Sequence, residues 1–461
     1  MRSHLQRISL AALVLSAGLA AGARVPSAAA ENTSKFQVQT IYYKLSNGLR
    51  VVLSPDSTAP TVAVAVYYRI GFRIEPMDRT GFAHLFEHMM FQGSRNLGKM
   101  EFIKLVQQNG GILNGSTRFD FTNYFEVLPS SKLETALWAE ADRMHGLAIT
   151  DENLKNQQGV VGNEVKVNVI NRPYGGFPWL DMPQYANTNW YNAHNFYGDL
   201  KDIESATLKD VQAFFQTYYA PNNAALAVVG DFDPAVARRL IEKYFADIPS
   251  STLPKAADLT EPRQDMEKRA SKKDELAKRP GLAFAYHVPE RNSPEYFAMG
   301  LLDQMLVQGP DSLLNQELVN KRALTASVSG GINLLGNMFN YNGPMLWTAF
   351  LFHDENKSPD EIMTAVDAVI DGLQQKPVDR PMLDRAIVKW RSDFYDSLTN
   401  GNGFGTADLL ASFALFDDDP GRINHLEAEL QKVTPDLLQK TAREYLRPGN
   451  RTVLVVQPGA K

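Results

Sequence analysis

Cysteine is absent from all 461 residues. That excludes disulfides, thiolate metal ligands, a cysteine nucleophile and lipid attachment through an N-terminal cysteine. Any metal must therefore be held by imidazoles and carboxylates. A basic excess is also missing: 47 Lys and Arg stand against 52 Asp and Glu, a net charge of −5. No nucleic-acid partner is expected from that balance. Beyond the N-terminus no run is long and apolar enough for a stable membrane span.

The apolar run that does exist, "ISLAALVLSAGLAAGA", follows Arg2 and Arg7 and precedes the small residues of "SAAAEN". Broken by Ser and Gly, it reads as an export signal over residues 1–30, with cleavage after Ala30 in an A-x-A context through Ala28, rather than as an anchor. An exported chain without disulfides suggests a bacterial periplasm. The remainder, 44% hydrophobic and 21% charged, has a globular balance and is too long for one ordinary core.

"YYKLSNGLRVVLSPD" predicts two strands around an Asn47-Gly48 turn. "TVAVAVYYRIGF" predicts a strand covered on both faces, "MEFIKLVQQNGG" a helix closed by Gly110 and Gly111, and "STRFDFTNYFEVLP" a further strand. Thr207 to Gly230 and Thr434 to Gln457 match without a gap at Thr207/Thr434, Tyr218/Tyr445, Pro221/Pro448 and Asn223/Asn450. Each reads as helix, turn and buried strand, so a duplicated α+β unit is expected. The charged stretch "TEPRQDMEKRASKKDELAKRP" lies between the halves and reads as a solvated linker or an exposed helix. The expected organisation is an N-terminal domain over 36–250, a linker over 251–280 and a C-terminal domain over 281–461.

In "GFAHLFEHMMFQGS", His84, Glu87 and His88 sit among Phe82, Leu85, Phe86 and Met89. On a helix, positions i and i+4 share a face and i+3 lies beside them. His84 and His88 can then point at one ion, for which Zn²⁺ is suited, and Glu87 is placed to take a proton from a water there. The order His-x-x-Glu-His is the inverted zincin motif.

This stretch, with "LSNGLRVVLSPD", "GGILNGSTRFDFTNY" and "YYAPNNAALAVVGDFD", resembles the blocks of the pitrilysin and insulin-degrading-enzyme family of metallopeptidases, in their order. The half-length branch that includes mitochondrial processing peptidase is the nearest in kind. The resemblance implies an α+β fold of two related domains, each a mainly antiparallel sheet packed against helices, forming half of a clam-shell chamber. It implies one Zn²⁺ per chain, with Glu164 of "QQGVVGNEVKV" as third ligand, and hydrolysis of peptide bonds. The family's glutamate seven residues before that ligand is Gln157 here, which cannot carry charge. Asn114, Gly115 and Thr117 are implied to lie along the substrate cleft, on an edge strand that an extended peptide could join.

The resemblance also exposes a gap. Self-sufficient relatives carry an Arg and a Tyr in the second half, where "ELVNKRALTASV" has Val319 and Ala326. Neither can donate a side-chain hydrogen bond. The expected protein is therefore a peptidase subunit that pairs, as a heterodimer, with a homologous chain bearing the Arg and Tyr. Arg322 and Tyr341 are the candidates for substitution within the chain. A zinc-binding scaffold and a peptide-binding module of the same fold are the alternatives. His145, His194, His287, His353 and His425 read as ordinary histidines, "FDDDPGR" as an acidic loop and "GNGFGT" as a flexible turn.

Overall fold

Asn47 and Gly48 close the first hairpin. Gly48 takes φ of +90°, which costs a glycine nothing, and β1 (Ile41–Lys44) and β2 (Arg50–Pro55) pair antiparallel on either side. The computed structural model describes residues 37–459, so the expected export signal lies outside the described residues. The first sheet adds β3 (Thr61–Tyr68), β4 (Ile112–Thr117), β5 (Thr122–Pro129) and β6 (Ala224–Gly230), in the order β1-β2-β6-β3-β5-β4. The second contains β7 (Lys268–Asp274), β8 (Gly281–His287), β9 (Ser329–Ile332), β10 (Leu346–Phe352) and β11 (Arg451–Pro458), in the order β7-β11-β8-β10-β9.

The duplication expected from sequence is visible as topology. With β1 set aside, each sheet lines up the first, fifth, second, fourth and third strands of its own half, and in each only the first-to-fifth pairing is parallel. The repeated segments match in detail. Thr207 and Thr434 cap the helices Leu208–Tyr218 and Pro435–Tyr445. After each helix an asparagine amide spans two carbonyls: Asn223 donates to Tyr218 and Arg69, and Asn450 to Tyr445 and His287.

Two expectations change. "STRFDFTNYFEVLP" is not one strand, because the chain turns back after Thr117 and its two arms form β4 and β5. Part of the charged stretch read as linker or helix is β7, an edge strand pairing parallel with β11. Its side chains alternate between half-buried and exposed, so it buries only one face.

β3 alternates Val62, Val64, Val66 and Tyr68 on one face with Ala63, Ala65 and Tyr67 on the other. The valine face packs on helices of its own half. The alanine face, with Ala225 and Ala227 of β6, receives the helix Phe404–Phe416 from the second half. Small side chains let that helix approach the sheet closely, and Phe404 stacks on Phe125 of β5 at 3.6 Å between ring centroids. In return the helix Asp181–Ala186 lies on the second sheet, burying Met182 and Ala186 against Ala283, Ala285, Leu454 and Val456. The two halves thus exchange a helix. No helix among the described residues is long and apolar enough to cross a membrane.

Candidate metal centre

The helix Phe82–Met89 buries Phe82, Leu85, Phe86 and Met89 in the core that also holds the valine face of β3. That anchoring turns His84, Glu87 and His88 to the other side. Against it packs the helix Asp151–Val165, capped by Thr150, whose side chain accepts from the Asn153 N–H. Leu154, Gln157, Val161 and Val165 form its buried stripe, and Glu164 projects beside it. One π-helical turn, Lys166–Ile170, follows directly.

The three expected ligands come together. His84 Nε2 lies 3.3 Å from His88 Nε2. Glu164 places one oxygen 3.5 Å from His84 Nε2 and the other 3.1 Å from His88 Nε2. Among the described residues this is the one group of three His or carboxylate side chains whose donor atoms converge in this way. The spacing tests the fit to an ion. Donors at the 2.0–2.1 Å typical of zinc, in a tetrahedron, are separated by about 3.3–3.4 Å; the two imidazole nitrogens lie 3.3 Å apart, and they and one Glu164 oxygen all lie within 4.8 Å of one another. The donor set fits.

The electrostatics agree. Hydrogen bonds from His84 and then His88 hold the Glu164 carboxyl far below the usual carboxylate range, against the effect of burial. Burial works to lower the His88 pKa, but Glu164, Glu87 and Gln157 outweigh it and the net shift is upward. A carboxylate that stays ionised beside two imidazoles suits a bound cation.

Glu87 does not join the ligands. Thr117 Oγ1 donates to Glu87 Oε2 at 2.7 Å, which fixes that carboxylate from β4. Thr117 is buried and faces the helix rather than the open edge. β4 is the edge of its sheet, so one side of its backbone has no strand partner. Asn114 on it is exposed, and its side chain accepts from the Gly115 N–H at 2.9 Å. A Cβ on Gly115 would lie 3.1 Å from the Tyr124 ring, so glycine there relieves crowding from within. Gln157 is buried, reaches His88 and donates to Asn156.

Three contributors escaped the sequence reading. Buried Glu75 accepts from the Gly81 and Ala83 N–H groups and so caps the histidine helix, which has no cap of its own. His194 places Nε2 3.7 Å from Glu75 and stacks on Trp190 at 4.2 Å. Tyr197 donates to Glu164 Oε1 at 3.3 Å, and burial pushes its hydroxyl up to about 12, so it keeps its proton. No local pattern marks them. His194 and Tyr197 act through contacts between distant segments, and Glu75 reaches N–H groups six and eight residues further along the chain.

The profile described as "Insulinase (Peptidase family M16)" matches residues 50–174, and that described as "Peptidase M16 inactive domain" matches residues 205–388. The chain belongs to the insulinase family, peptidase family M16. It is 28% identical to the zinc protease PqqE of Helicobacter pylori, over 90% of this chain and 92% of that protein. A crystal structure of a protease from Helicobacter pylori superposes with a TM-score of 0.84 and 25% identity, covering 92% of this chain and all of that one. A peptidase M16 inactive domain from Pseudomonas fluorescens has a TM-score of 0.80 at 16% identity over 92% of this chain and 98% of that one, a likeness of fold alone.

Val319 and Ala326 line a hollow of about 500 Å³ beside β9, with Gly309, Asn315 and Gly330. The two candidate substitutes differ in their surroundings. Arg322 pairs with Glu317 at 2.7 Å, and Tyr341 is buried with its hydroxyl bonded to Tyr296 at 2.6 Å. In the acidic loop Asp417 pairs with Arg291 and Asp418 with Lys44, while Asp419 accepts from the Gly421 N–H.

Proposed function

We propose that this chain is a zinc metalloendopeptidase subunit that hydrolyses extended peptides in the periplasm, and that it works with a homologous chain supplying the Arg and Tyr it lacks. The observation that carries the reading is the convergence of His84, His88 and Glu164 beside a Glu87 that lies outside that group and is held by Thr117. A scaffold has no use for that fourth residue.

His84, His88 and Glu164 would hold the ion. When bound, zinc lowers the pKa of a coordinated water to about 7 and polarises a carbonyl oxygen. With one oxygen engaged by Thr117, Glu87 accepts a proton from water as hydroxyl adds to the scissile carbonyl carbon. It then delivers that proton to the departing amine nitrogen. The free edge of β4 at Asn114 and Gly115 would take the substrate backbone as an added strand, giving affinity with little sequence preference. The oxyanion still needs a donor, which the partner chain provides and Val319 and Ala326 do not.

A non-catalytic zinc-binding scaffold is the second reading, favoured by Val319, Ala326 and the "inactive domain" profile over 205–388. One experiment separates the two. With the partner present, Glu87→Gln should lower peptide cleavage by at least ~10²-fold while zinc per chain, from metal analysis, stays unchanged. Equal cleavage by both proteins would remove the assignment of Glu87. No cleavage by the wild-type pair on any extended peptide would favour the scaffold.

A further inference from the structure

We propose that Tyr197 is a positioning residue that fixes the Glu164 carboxylate relative to His84 for metal binding. This rests on the zinc reading above.

Tyr197 lies in the loop His194 to Gly198, far in sequence from both helices. That loop is fastened to the start of the histidine helix. Gly198 has φ of +67°, and a Cβ there would come within 2.3 Å of the Gly81 nitrogen and the Thr80 carbonyl carbon, so the two backbones are in direct contact. Thr80 Oγ1 accepts from the Asp199 N–H at 2.8 Å and donates to Asp202 at 2.6 Å, which bolts the same junction from the other side. The position of Tyr197 is therefore set by the histidine helix.

Its side chain then reaches across. The ring meets His84 edge-on, 5.1 Å between centroids at 82°. His84 Nδ1 is buried and has no hydrogen-bond partner, so packing against Tyr197 and Phe196 orients that imidazole in place of the usual N–H···O bond. The hydroxyl donates to Glu164 Oε1, the oxygen on the His84 side. Asn168, carried by the π-helical turn, also reaches the hydroxyl. Apart from the two imidazoles, Tyr197 is the only hydrogen-bonding partner of Glu164 among the described residues. Gln157 reaches His88 and Asn156 instead. Without Tyr197 the carboxylate keeps only its contacts with the two imidazoles.

Removing such a partner typically weakens metal affinity about 10–100-fold. In the full chain, Tyr197→Phe should weaken zinc binding by that factor in competition with a chromophoric chelator. The visible bands of the Co²⁺-loaded form should shift, and the melting temperature of the metal-free protein should stay the same. Tyr197→Leu, which also removes the ring packed on His84, should weaken binding further. Wild-type affinity and an unchanged Co²⁺ spectrum in Tyr197→Phe overturn the proposal, and a loss confined to Tyr197→Leu does so as well by reducing the role to packing. A wild-type chain that takes up neither metal overturns the zinc reading itself, an outcome distinct from a Phe variant that binds like the parent.

Discussion

Glu126 and Glu140 face each other in the core behind the histidine helix, both with no exposed surface, and a single buried guanidinium serves them. Arg143 pairs with Glu140 and lies 3.7 Å over the Phe102 ring. Two carboxylates against one cation leave a charge without a counter-ion. Burial, and then the neighbouring Glu140, push Glu126 well above the ordinary carboxylate range. From about pH 4.3, where an unfolded glutamate releases its proton, the folded chain still holds it. Stability therefore falls as pH rises toward the folded value, by about 1.4 kcal/mol for each pH unit of that interval. Glu126→Gln removes the titration and keeps a donor for Glu140. Its melting temperature should exceed that of the wild type at pH 8 and change less between pH 5 and 8. Parallel melting curves for the two proteins across that range would refute this.

At the scale of the element, the histidine helix depends on a residue outside it. It begins at Gly81, with φ of +80° and no side-chain cap, and Glu75 takes two of its free N–H groups. Glu75→Ala leaves both donors buried and unpaired, a loss of about 1–3 kcal/mol by denaturant unfolding. Glu75→Gln keeps one acceptor and should lose less. If the alanine variant unfolds at the wild-type midpoint, the cap is unimportant. Because the helix carries His84 and His88, which the proposed function assigns to zinc, the alanine variant should also bind zinc more weakly.

For the whole molecule, the exchanged helices decide how the chain unfolds. Without the second half, the alanine face formed by Ala63, Ala65, Ala225 and Ala227 loses Phe404–Phe416 and meets water. The second sheet likewise loses Met182 and Ala186. Calorimetry of the full chain should show one cooperative transition, and residues 36–250 expressed alone should aggregate or expose apolar surface to a hydrophobic dye. Two separate transitions, or a soluble and compact fragment, would contradict this. The charged stretch joining the halves in sequence adds ties of its own, from Glu261 to Thr188 and Asn192 and from Lys272 to Asp181.

Much of this was legible in the chain itself. The i, i+4 pair of His84 and His88 with Glu87, the Asn47-Gly48 hairpin and the repeated helix-turn-strand are short-range patterns, and backbone geometry turns such patterns directly into structure. Glu164 entered through resemblance alone, because a lone helical carboxylate has no signature. Folding decided the rest: Thr117 on Glu87, Glu75 under the histidine helix, Tyr197 on Glu164, and a helix from each half on the other's sheet. Periodicity records which face of an element avoids water, but not the angle at which that face meets another element. That angle determines which polar groups from remote segments end up within a hydrogen bond of each other.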